Sequence, residues 1–405
     1  MANETPTTGR SRQLRSIVIL GSLAGLPPLA IDLYLPALPS LTHGLHAGAS
    51  SGQLTLTGFV AGLAVGQLVA GALSDAHGRR GPLLVGMVGY VAATALCAVA
   101  PSIWILVVLR VIAGATGGAG VVIGRAIVRD THGGTAAARV FALMLLVTGS
   151  APVVAPLIGG QLLRVTDWRG LFVALAALGA VQLVAVAALL PETLPATARH
   201  RGGLRLTIGR FGDLLANRRF VADAGALNLS FGALFAYISA SSFVLEDIYH
   251  TSPQLYSYIF ALLAVAFVVV AQLGGRLVGR FGPRRLFRVG LHVIALASVG
   301  TLVTIIAGGG LGALVACLAL VSAGNGFVWP NGTAVSMADM GDVAGSASAL
   351  IGVGQFGLAA LVAPLVGVGG SRAALPAGLV MCVCGLGAWL LYLTGGPSSA
   401  MLARR

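Results

Sequence analysis

The chain has 405 residues, of which 57% are hydrophobic and only 9% are charged, and its mean hydropathy is +0.93. A soluble domain carries about 25% charged residues, so this composition excludes a soluble enzyme or binding module and indicates a surface that faces lipid. The net charge of +13 does not indicate nucleic-acid binding. The 25 basic residues are all arginine, and nearly all of them lie in short gaps between apolar runs, so they form no contiguous basic face.

Twelve apolar runs are each long enough to cross a bilayer, which requires about 20 residues. They lie near 16–38, 52–73, 82–100, 102–124, 140–162, 169–190, 221–245, 254–275, 286–307, 311–334, 343–367 and 373–394. The sequence therefore predicts an all-α integral membrane protein with about twelve transmembrane helices. The first run is too long for a cleavable signal peptide and lacks a small-residue cleavage site, so we expect it to remain as span one.

The arginines lie mostly on one side of these spans. With the amino terminus in the cytoplasm, 21 of them fall in inside segments and three in outside loops. Cytoplasmic loops are enriched in basic residues, so we expect both termini to be cytoplasmic. The absence of lysine and the 58 glycines are typical of a GC-rich bacterial genome, and we therefore expect a bacterial plasma membrane.

Span one carries Asp32, roughly 24 Å from its start at 1.5 Å per residue. An ionisable residue inside a span is expensive and indicates function. Burial favours the protonated form of a carboxyl group, so Asp32 is a candidate proton carrier or counter-ion for a cationic ligand. Alternatively, Asp32 lies at the outer interface or caps a helix that is broken next to Pro36.

A short pattern follows span two and returns after span eight. The copies are Gly71-Ala-Leu-Ser-Asp75-Ala-His-Gly78-Arg79-Arg80 and Gly275-Arg-Leu-Val-Gly279-Arg-Phe-Gly282-Pro-Arg284-Arg285, offset by 204 residues. We expect Gly71 to permit close approach of a helix, Gly78 to form a tight turn, and Asp75 to gain from an arginine or a helix amino terminus. One copy per half predicts two parallel six-helix halves with the substrate site between them.

This pattern resembles the signature of the major facilitator superfamily, whose fold is two pseudo-symmetric bundles of six transmembrane helices. The resemblance implies that Asp75, Arg79 and Arg80 form a conformational latch that stabilises the outward-facing state. Because Gly279 occupies the acidic position of the second copy, we expect an Asp-based latch only in the amino-terminal half.

Span four carries Arg110 after about eight apolar residues. A buried guanidinium needs a carboxylate, carbonyl or ligand partner, and Asp32 is one possible partner, although the sequence leaves open whether they meet. Five glycines follow, and we expect them to form a close-packed helix face rather than a dinucleotide loop, which would need a preceding strand. They are Gly114, Gly117, Gly118, Gly120 and Gly124.

Further segments resemble one branch of this superfamily, the bicyclomycin- and chloramphenicol-resistance (Bcr/CflA) drug:proton antiporters. They are Asp32-Leu-Tyr34-Leu-Pro36-Ala-Leu-Pro39, Arg110-Val-Ile-Ala-Gly114, Arg125-Ala-Ile-Val-Arg129-Asp130 and Tyr237-Ile-Ser-Ala-Ser-Ser-Phe243-Val-Leu. Ser242 replaces a common proline in the last segment. The resemblance implies proton coupling through Arg110 and associates Arg125, Arg129 and Asp130 with the latch.

Span five contains Gly149-Ser-Ala-Pro152-Val-Val-Ala155-Pro156-Leu-Ile-Gly159-Gly160. This segment is similar to the antiporter motif of proton-coupled exporters, with Ala155 in place of the usual glycine. Proline bends a membrane helix and glycine permits close packing, so span five could seal one pathway against proton leak. The alternative is an ordinary kinked membrane helix.

The longest hydrophilic segment divides the chain into a bundle over 1–191, a cytoplasmic linker over 192–220 and a second bundle over 221–405. An interfacial helix is expected around Leu204–Leu215. Several polar residues could line a central cavity, although each could equally form an interhelical hydrogen bond. They are Tyr34, Gln67, Gln161, Asn228, Tyr237, Asn325 and Asn331.

The sequence thus predicts a monomeric secondary active exporter of small hydrophobic drugs such as chloramphenicol or bicyclomycin. We expect it to be driven by a proton gradient, with no cofactor or metal. No Walker A motif is present, so the chain itself is not expected to hydrolyse ATP. The alternatives are an uptake permease for a small metabolite and a non-transporting membrane sensor or scaffold. Substrate identity and proton stoichiometry stay open.

Overall fold

The computed structural model describes residues 6–131, 134–199, 211–338, 340, 344–367 and 374–394. All regular structure among these residues is helical. The main helices are α1 Pro6–Asp32, α2 Leu38–Gly44, α3 Ala49–His77, α4 Arg80–Ala98, α5 Ile103–Thr131, α6 Gly134–Leu162, α7 Trp168–Leu189, α8 Arg218–Ser242, α9 Pro253–Phe281, α10 Pro283–Ile306, α11 Leu311–Met337, α12 Ala344–Gly367 and α13 Ala374–Thr394.

The predicted all-α membrane fold is confirmed. Within the described residues, eleven segments are long and apolar enough to cross a membrane, and the 29-residue α6 occupies the remaining predicted run. Several helices extend past the apolar runs. For example, α5 continues to Thr131, because a helix needs only its backbone hydrogen bonds to proceed once the chain has left the hydrocarbon region.

Span one differs from the continuous helix predicted over 16–38. α1 ends at Asp32, a short 3₁₀ turn covers Leu35–Ala37, and α2 then begins at Leu38. The break has a local cause. Pro36 has no N–H to donate to the carbonyl of Asp32, and in a continuous helix its ring would clash with that same carbonyl. Asp32 is therefore the last residue of a broken helix, as the alternative interpretation of this segment allowed.

Glycines bring α3 and α5 into direct backbone contact. A Cβ atom at Gly66 would overlap the carbonyl oxygen of Ala115, and one at Gly114 would overlap the carbonyl oxygen of Phe59. Such positions tolerate no side chain, and membrane helices use them to approach closely. Of the five glycines predicted to form one close-packed face of span four, Gly114 and Gly118 pack tightly on α3, whereas Gly117 meets the ring of Tyr90 on α4. A Cβ atom at Gly120 or Gly124 would make only ordinary contacts, so the predicted face is formed in part. By contrast, a Cβ at Gly71 would meet Val122 at an ordinary 3.5 Å, so the close approach expected there is absent.

Span seven ends in an unusual segment. α8 continues into a π-helical turn at Phe243–Ile248, and the N–H of Tyr249 donates to the carbonyl of Val244 at 3.1 Å. The side chain of Tyr249 donates to the carbonyl of Gly309, 2.8 Å away. The span is thus longer than the predicted 221–245, and it includes Glu246 in its last turn.

By contact density the chain forms two compact units. The first comprises Met1–Ala47 and Leu54–Leu204, and the second comprises Gly48–Gln53 and Arg205–Arg405. Of the interfacial helix expected around Leu204–Leu215, residues 211–216 are helical and the earlier ones lie outside the described residues.

Candidate functional site

Arg110 lies in the interior of the first unit and is 0% exposed. Its guanidinium carbon lies 4.2 Å from the ring centroid of Phe59, 4.6 Å from that of Tyr34 and 5.8 Å from that of Phe172. Aromatic faces attract a desolvated cation. The three rings therefore surround the charge of Arg110 with aromatic faces in the interior of the unit.

One nitrogen of this guanidinium is bound to the end of α1. The Nη2 atom of Arg110 donates to the carbonyl oxygen of Ala30 at 3.0 Å. That carbonyl belongs to the last turn of a helix, where carbonyls lack an intrahelical partner and attract cations. The Nε and Nη1 atoms of Arg110 are buried without a hydrogen-bond partner. Two strong donors thus remain available beside the break in span one.

Asp32 lies at this same break. Its side chain is buried, with 4% exposure, and the carboxyl group has no hydrogen-bond or ion-pair partner among the described residues. The ion pair with Arg110 that the sequence left open is therefore not formed in this conformation. Burial without a partner and the negative end of a helix dipole both disfavour an ionised carboxylate.

The glycine-proline motif of α6 packs directly on the break. A Cβ at Gly159 would overlap the carbonyl oxygen of Leu33 and would lie 3.3 Å from the ring of Pro36. Pro156 and Gly160 are buried nearby, whereas Pro152 is half-buried. A Cβ at Gly149 would meet nothing within 4 Å. The carboxyl-terminal end of the motif therefore contacts span one, and α6 remains helical through both prolines.

A second group of charges surrounds Arg79, which is 7% exposed. Its Nε donates to Asp130 at 2.8 Å, and its Nη1 donates to Asp75 at 2.5 Å and to the hydroxyl of Ser74 at 2.9 Å. Asp130 is at the end of α5 and Asp75 is near the end of α3. Arg79 therefore ties the ends of these two helices to the start of α4, and we call this group the Arg79 network.

Sequence reasoning missed Glu192, which completes the network. Its carboxylate accepts the backbone N–H groups of Arg79 at 2.8 Å and of Arg80 at 3.1 Å, at the amino terminus of α4. Burial raises the pKa of Glu192, but hydrogen bonds from the backbone of Leu194, Arg79, Arg80 and Thr193 outweigh it and lower the pKa overall. The available signal in the sequence was an acidic residue directly after an apolar run, but Glu192 falls in the predicted linker over 192–220.

Gly78 allows this arrangement. Its φ angle is +98°, which side-chain-bearing residues rarely adopt, and a Cβ atom there would lie 2.5 Å from the carboxylate of Glu192. The tight turn predicted for Gly78 is confirmed. In the second copy of the pattern, Gly282 has a φ of +74°, so both copies turn at the same relative position.

The other arginines assigned to the latch lie apart from the Arg79 side chain. Arg80 donates to the carbonyl of Ala187 at 2.7 Å. Arg125 and Arg129 are exposed on α5, and neither forms an ion pair within the described part of the chain. The structure thus brings Asp75, Arg79 and Asp130 together but does not bring Arg125 and Arg129 to them.

The second unit has an ion pair of its own. Arg284, in the second copy of the pattern, donates to Asp223 of α8 at 2.5 Å. The side chain of Asp223 is 3% exposed. The expectation of an Asp-based latch only in the amino-terminal half rested on Gly279 at the acidic position of the second copy. The structure adds that Arg284 of this copy has a carboxylate partner from another helix.

The polar candidates of the first unit occupy different environments. Tyr34 is fully buried, and its hydroxyl lies 3.0 Å from that of Thr55. Gln67 is half-buried on α3, and Gln161 is exposed in the last turn of α6. Only Tyr34 therefore belongs to the surroundings of Arg110.

The candidates of the second unit are more enclosed. Tyr237 stacks on Phe260 with ring centroids 5.6 Å apart. Asn325 and Asn331 each donate to a carbonyl one turn earlier in α11, at 3.0 Å and 2.8 Å. Asn228 is half-buried on α8, and its Oδ1 atom is buried without a hydrogen-bond partner. The Oδ1 atom of Asn325 is also buried without a hydrogen-bond partner, so both asparagines have a free acceptor, and Asn228 is the more exposed residue of the two.

Glu246 is another ionisable residue that sequence reasoning missed. It lies in the π-helical turn that ends span seven, and its Oε1 atom is buried without a hydrogen-bond partner. π-helical turns often occur at functional sites. The predicted span over 221–245 ends one residue before Glu246, because an ionisable side chain lowers the local hydropathy.

Comparison with known proteins gives a consistent family. The model of the Major Facilitator Superfamily matches residues 22–364. An uncharacterized MFS-type transporter of Bacillus subtilis, YdgK, is 36% identical over 382 residues, covering 93% of this chain and 94% of that protein. A bicyclomycin resistance protein homolog of Haemophilus influenzae is 29% identical over 351 residues, covering 86% and 88%.

Solved structures share the fold. The nucleoside transporter NupG superposes with a TM-score of 0.76 at 13% sequence identity, covering 95% of this chain and 100% of the NupG chain. A D-xylose–proton symporter superposes with a TM-score of 0.69 at 15% identity, covering 92% and 97%. With this fold, the charged networks described above and a family match over most of its length, the chain belongs to the Major Facilitator Superfamily and is a multi-pass membrane transporter.

Proposed function

We propose that this transporter is a proton-driven exporter of small hydrophobic drugs across the bacterial plasma membrane, with both termini in the cytoplasm. The observation that carries the proposal is the buried, unpartnered carboxyl group of Asp32 at the break of span one. A relative named a bicyclomycin resistance protein homolog and another named the multidrug resistance protein MdtL, from Salmonella paratyphi B and 29% identical over 278 residues, support a drug as cargo.

The geometry suggests how protonation would be linked to conformation. Arg110 donates to Ala30, and its Nε and Nη1 atoms are buried without a hydrogen-bond partner. A deprotonated Asp32 would need a cationic or hydrogen-bonding partner, because a buried carboxylate is unfavourable without one. Arg110, which binds Ala30 two residues earlier in α1, would become that partner only through a rearrangement of the break. Such a movement would shift the end of α1 against Gly159 of α6. Proton binding would thus bias the alternating-access equilibrium, as any ligand with different affinities for two states does.

The test is drug-dependent proton movement in inside-out vesicles for wild type, Asp32→Asn and the control Asp213→Asn. Asp213 is exposed and lies outside the site. A phenicol and a cationic dye are the probes. We expect drug to release protons from the acidified lumen for wild type and Asp213→Asn, and not for Asp32→Asn.

Two outcomes contradict the proposal. If Asp32→Asn still couples drug to protons, Asp32 is structural and another group carries the proton. If folded wild type moves no protons with any compound, cellular accumulation rather than depletion of a labelled metabolite would identify an uptake permease. Absence of any transport in proteoliposomes would leave a sensor or scaffold.

A further inference from the structure

Four aromatic side chains meet inside the second unit, on α8, α11 and α12. The ring of Phe231 lies 5.5 Å from that of Trp329, 5.7 Å from that of Phe235 and 6.4 Å from that of Phe356, measured between centroids. Phe235 is buried, whereas Phe231, Trp329 and Phe356 are half-buried. We call these four residues the Phe231 cluster. Its rings leave aromatic surface that the protein itself does not cover.

Two polar atoms accompany the cluster without hydrogen-bond partners. They are the indole Nε1 of Trp329, a donor, and the Oδ1 of Asn228, an acceptor, and both are buried. Asn228 precedes Phe231 by three residues on α8, so the two side chains lie on one face of the helix. The amide of Asn228 packs against Gly354 of α12, where a Cβ atom would overlap it. The donor and the acceptor therefore lie on the same packed helices as the rings, α8, α11 and α12.

Ordinary core packing does not account for these atoms. A buried indole N–H normally finds an acceptor, and a buried polar group without one is unfavourable. Trp389, by contrast, donates to the Nε2 of His292 at 3.1 Å. Other polar atoms of this unit are also buried without a partner, among them Oε1 of Glu246 and Oδ1 of Asn325, but those of Trp329 and Asn228 accompany one group of aromatic rings. A bound molecule would supply the hydrogen-bond partners that the protein does not provide for Nε1 of Trp329 and Oδ1 of Asn228.

We propose that the Phe231 cluster is a substrate subsite for a neutral aromatic compound with one hydrogen-bond acceptor and one donor. The rings would stack on the aromatic part, Trp329 would donate to the acceptor, and Asn228 would accept from the donor. Binding pockets of this kind combine apolar walls with a few fixed polar groups. This inference rests on the proposed function and specifies the class of its substrate.

The charges of this region favour a neutral ligand over a cation. The carboxylate that precedes the cluster on α8, Asp223, is already paired with Arg284. The cluster itself contains only aromatic and amide groups. An aromatic cage can also hold a cation through its ring faces, but it would then have no use for an indole donor. The unsatisfied N–H of Trp329 therefore distinguishes the two ligand classes.

The test is equilibrium binding of chloramphenicol, a neutral aromatic amide, and of ethidium, a cation, to the purified full-length protein in nanodiscs. Trp329→Phe keeps a ring and removes the N–H group, and Asn228→Leu removes the acceptor. Trp104→Phe is the matched control, because Trp104 is 61% exposed on α5. We expect each cluster variant to weaken chloramphenicol binding about tenfold, as loss of one hydrogen bond to a buried group would, and the control to match wild type.

A second measurement separates binding from folding. Replacing an unsatisfied buried polar group by an apolar one is neutral or stabilising, so ligand-free Trp329→Phe should melt no lower than wild type. The subsite is wrong if both cluster variants bind chloramphenicol as wild type does, if wild type binds no neutral aromatic probe, or if only ethidium binding falls. If wild type couples drug to proton movement but the cluster variants bind chloramphenicol as wild type does, the subsite alone is wrong. If wild type shows no drug-dependent proton movement, the proposed function is wrong.

Discussion

Gly159 of α6 lies against the carbonyl oxygen of Leu33, one residue after the end of α1, with no room for a Cβ atom between them. The contact joins a motif of span five to the break in span one. Because Asp32 precedes Leu33 in the chain, any rearrangement of the carboxyl group has to accommodate the backbone of α6.

Gly159→Ala should therefore destabilise the protein, by about 1–3 kcal/mol for overpacking, and lower its melting temperature. Gly149→Ala, in the same helix and motif, meets nothing within 4 Å and should leave the melting temperature unchanged or raise it, since alanine favours helix over glycine. Equal effects of the two substitutions on thermal unfolding would show that the contact with Leu33 has no special weight.

Arg110→Lys should reduce drug-dependent proton movement at least about tenfold while the protein still folds. The planar guanidinium lies between the rings of Tyr34 and Phe59 and binds Ala30 at the same time, and an ammonium group cannot reproduce both contacts. Arg164→Lys, at an exposed position after α6, is the control for replacing an arginine. Wild-type coupling in Arg110→Lys would mean that positive charge alone suffices at this position.

The contribution of Glu192 should depend on pH. Its pKa lies below the ordinary value of 4.5, so its stabilising effect is present above that value and is lost as the pH falls through the lowered pKa. We expect Glu192→Gln to melt lower than wild type at neutral pH, by about 1 kcal/mol or less for a lost helix cap. The gap should close as the pH falls below 4.5, and a gap that widens on acidification would refute this account.

Loss of Asp223 should cost far more than loss of Asp75. Asp223 is 3% exposed and Asp75 is 50% exposed. Removing one partner of a fully buried pair costs about 3–5 kcal/mol, and the loss here should be smaller because the side chain of Arg284 is 27% exposed. An exposed pair contributes about 0–1 kcal/mol.

In unfolding measurements we therefore expect Asp223→Asn to be more destabilised than Asp75→Asn. Adding Arg284→Gln to Asp223→Asn should recover part of the loss, because it removes the uncompensated charge. Simple additivity of the two substitutions in a double-mutant cycle would show that Asp223 and Arg284 do not stabilise each other.

The fold could be predicted because a lipid bilayer requires long apolar runs. The turns at Gly78 and Gly282 could be predicted because a tight turn depends on the local backbone. The break in span one was harder to place. Pro36 was visible in the sequence, but whether a helix ends at a proline or only bends there depends on its neighbours, and here α6 packs closely on the exposed backbone.

The partners of the charged residues could not be read from the sequence. Arg110 binds the backbone carbonyl of Ala30 rather than a carboxylate, and a backbone partner leaves no trace in residue types. Asp223 and Glu192 were passed over because their partners, Arg284 and the start of α4, are far away in the chain. Pairing between distant segments depends on the packing of helices, so the structure was needed to assign these residues.

The length of α3 and α5 has a consequence for the membrane around them. Each has 29 residues, or about 43 Å of helix, against a hydrocarbon core of about 30 Å. The last turns of both helices therefore project into the headgroup layer, and Asp75 and Asp130 project with them. Lipid phosphates and dissolved salt compete there for Arg79, so the phospholipid composition of the host membrane becomes a physical determinant of how firmly the ends of α3, α4 and α5 are held together.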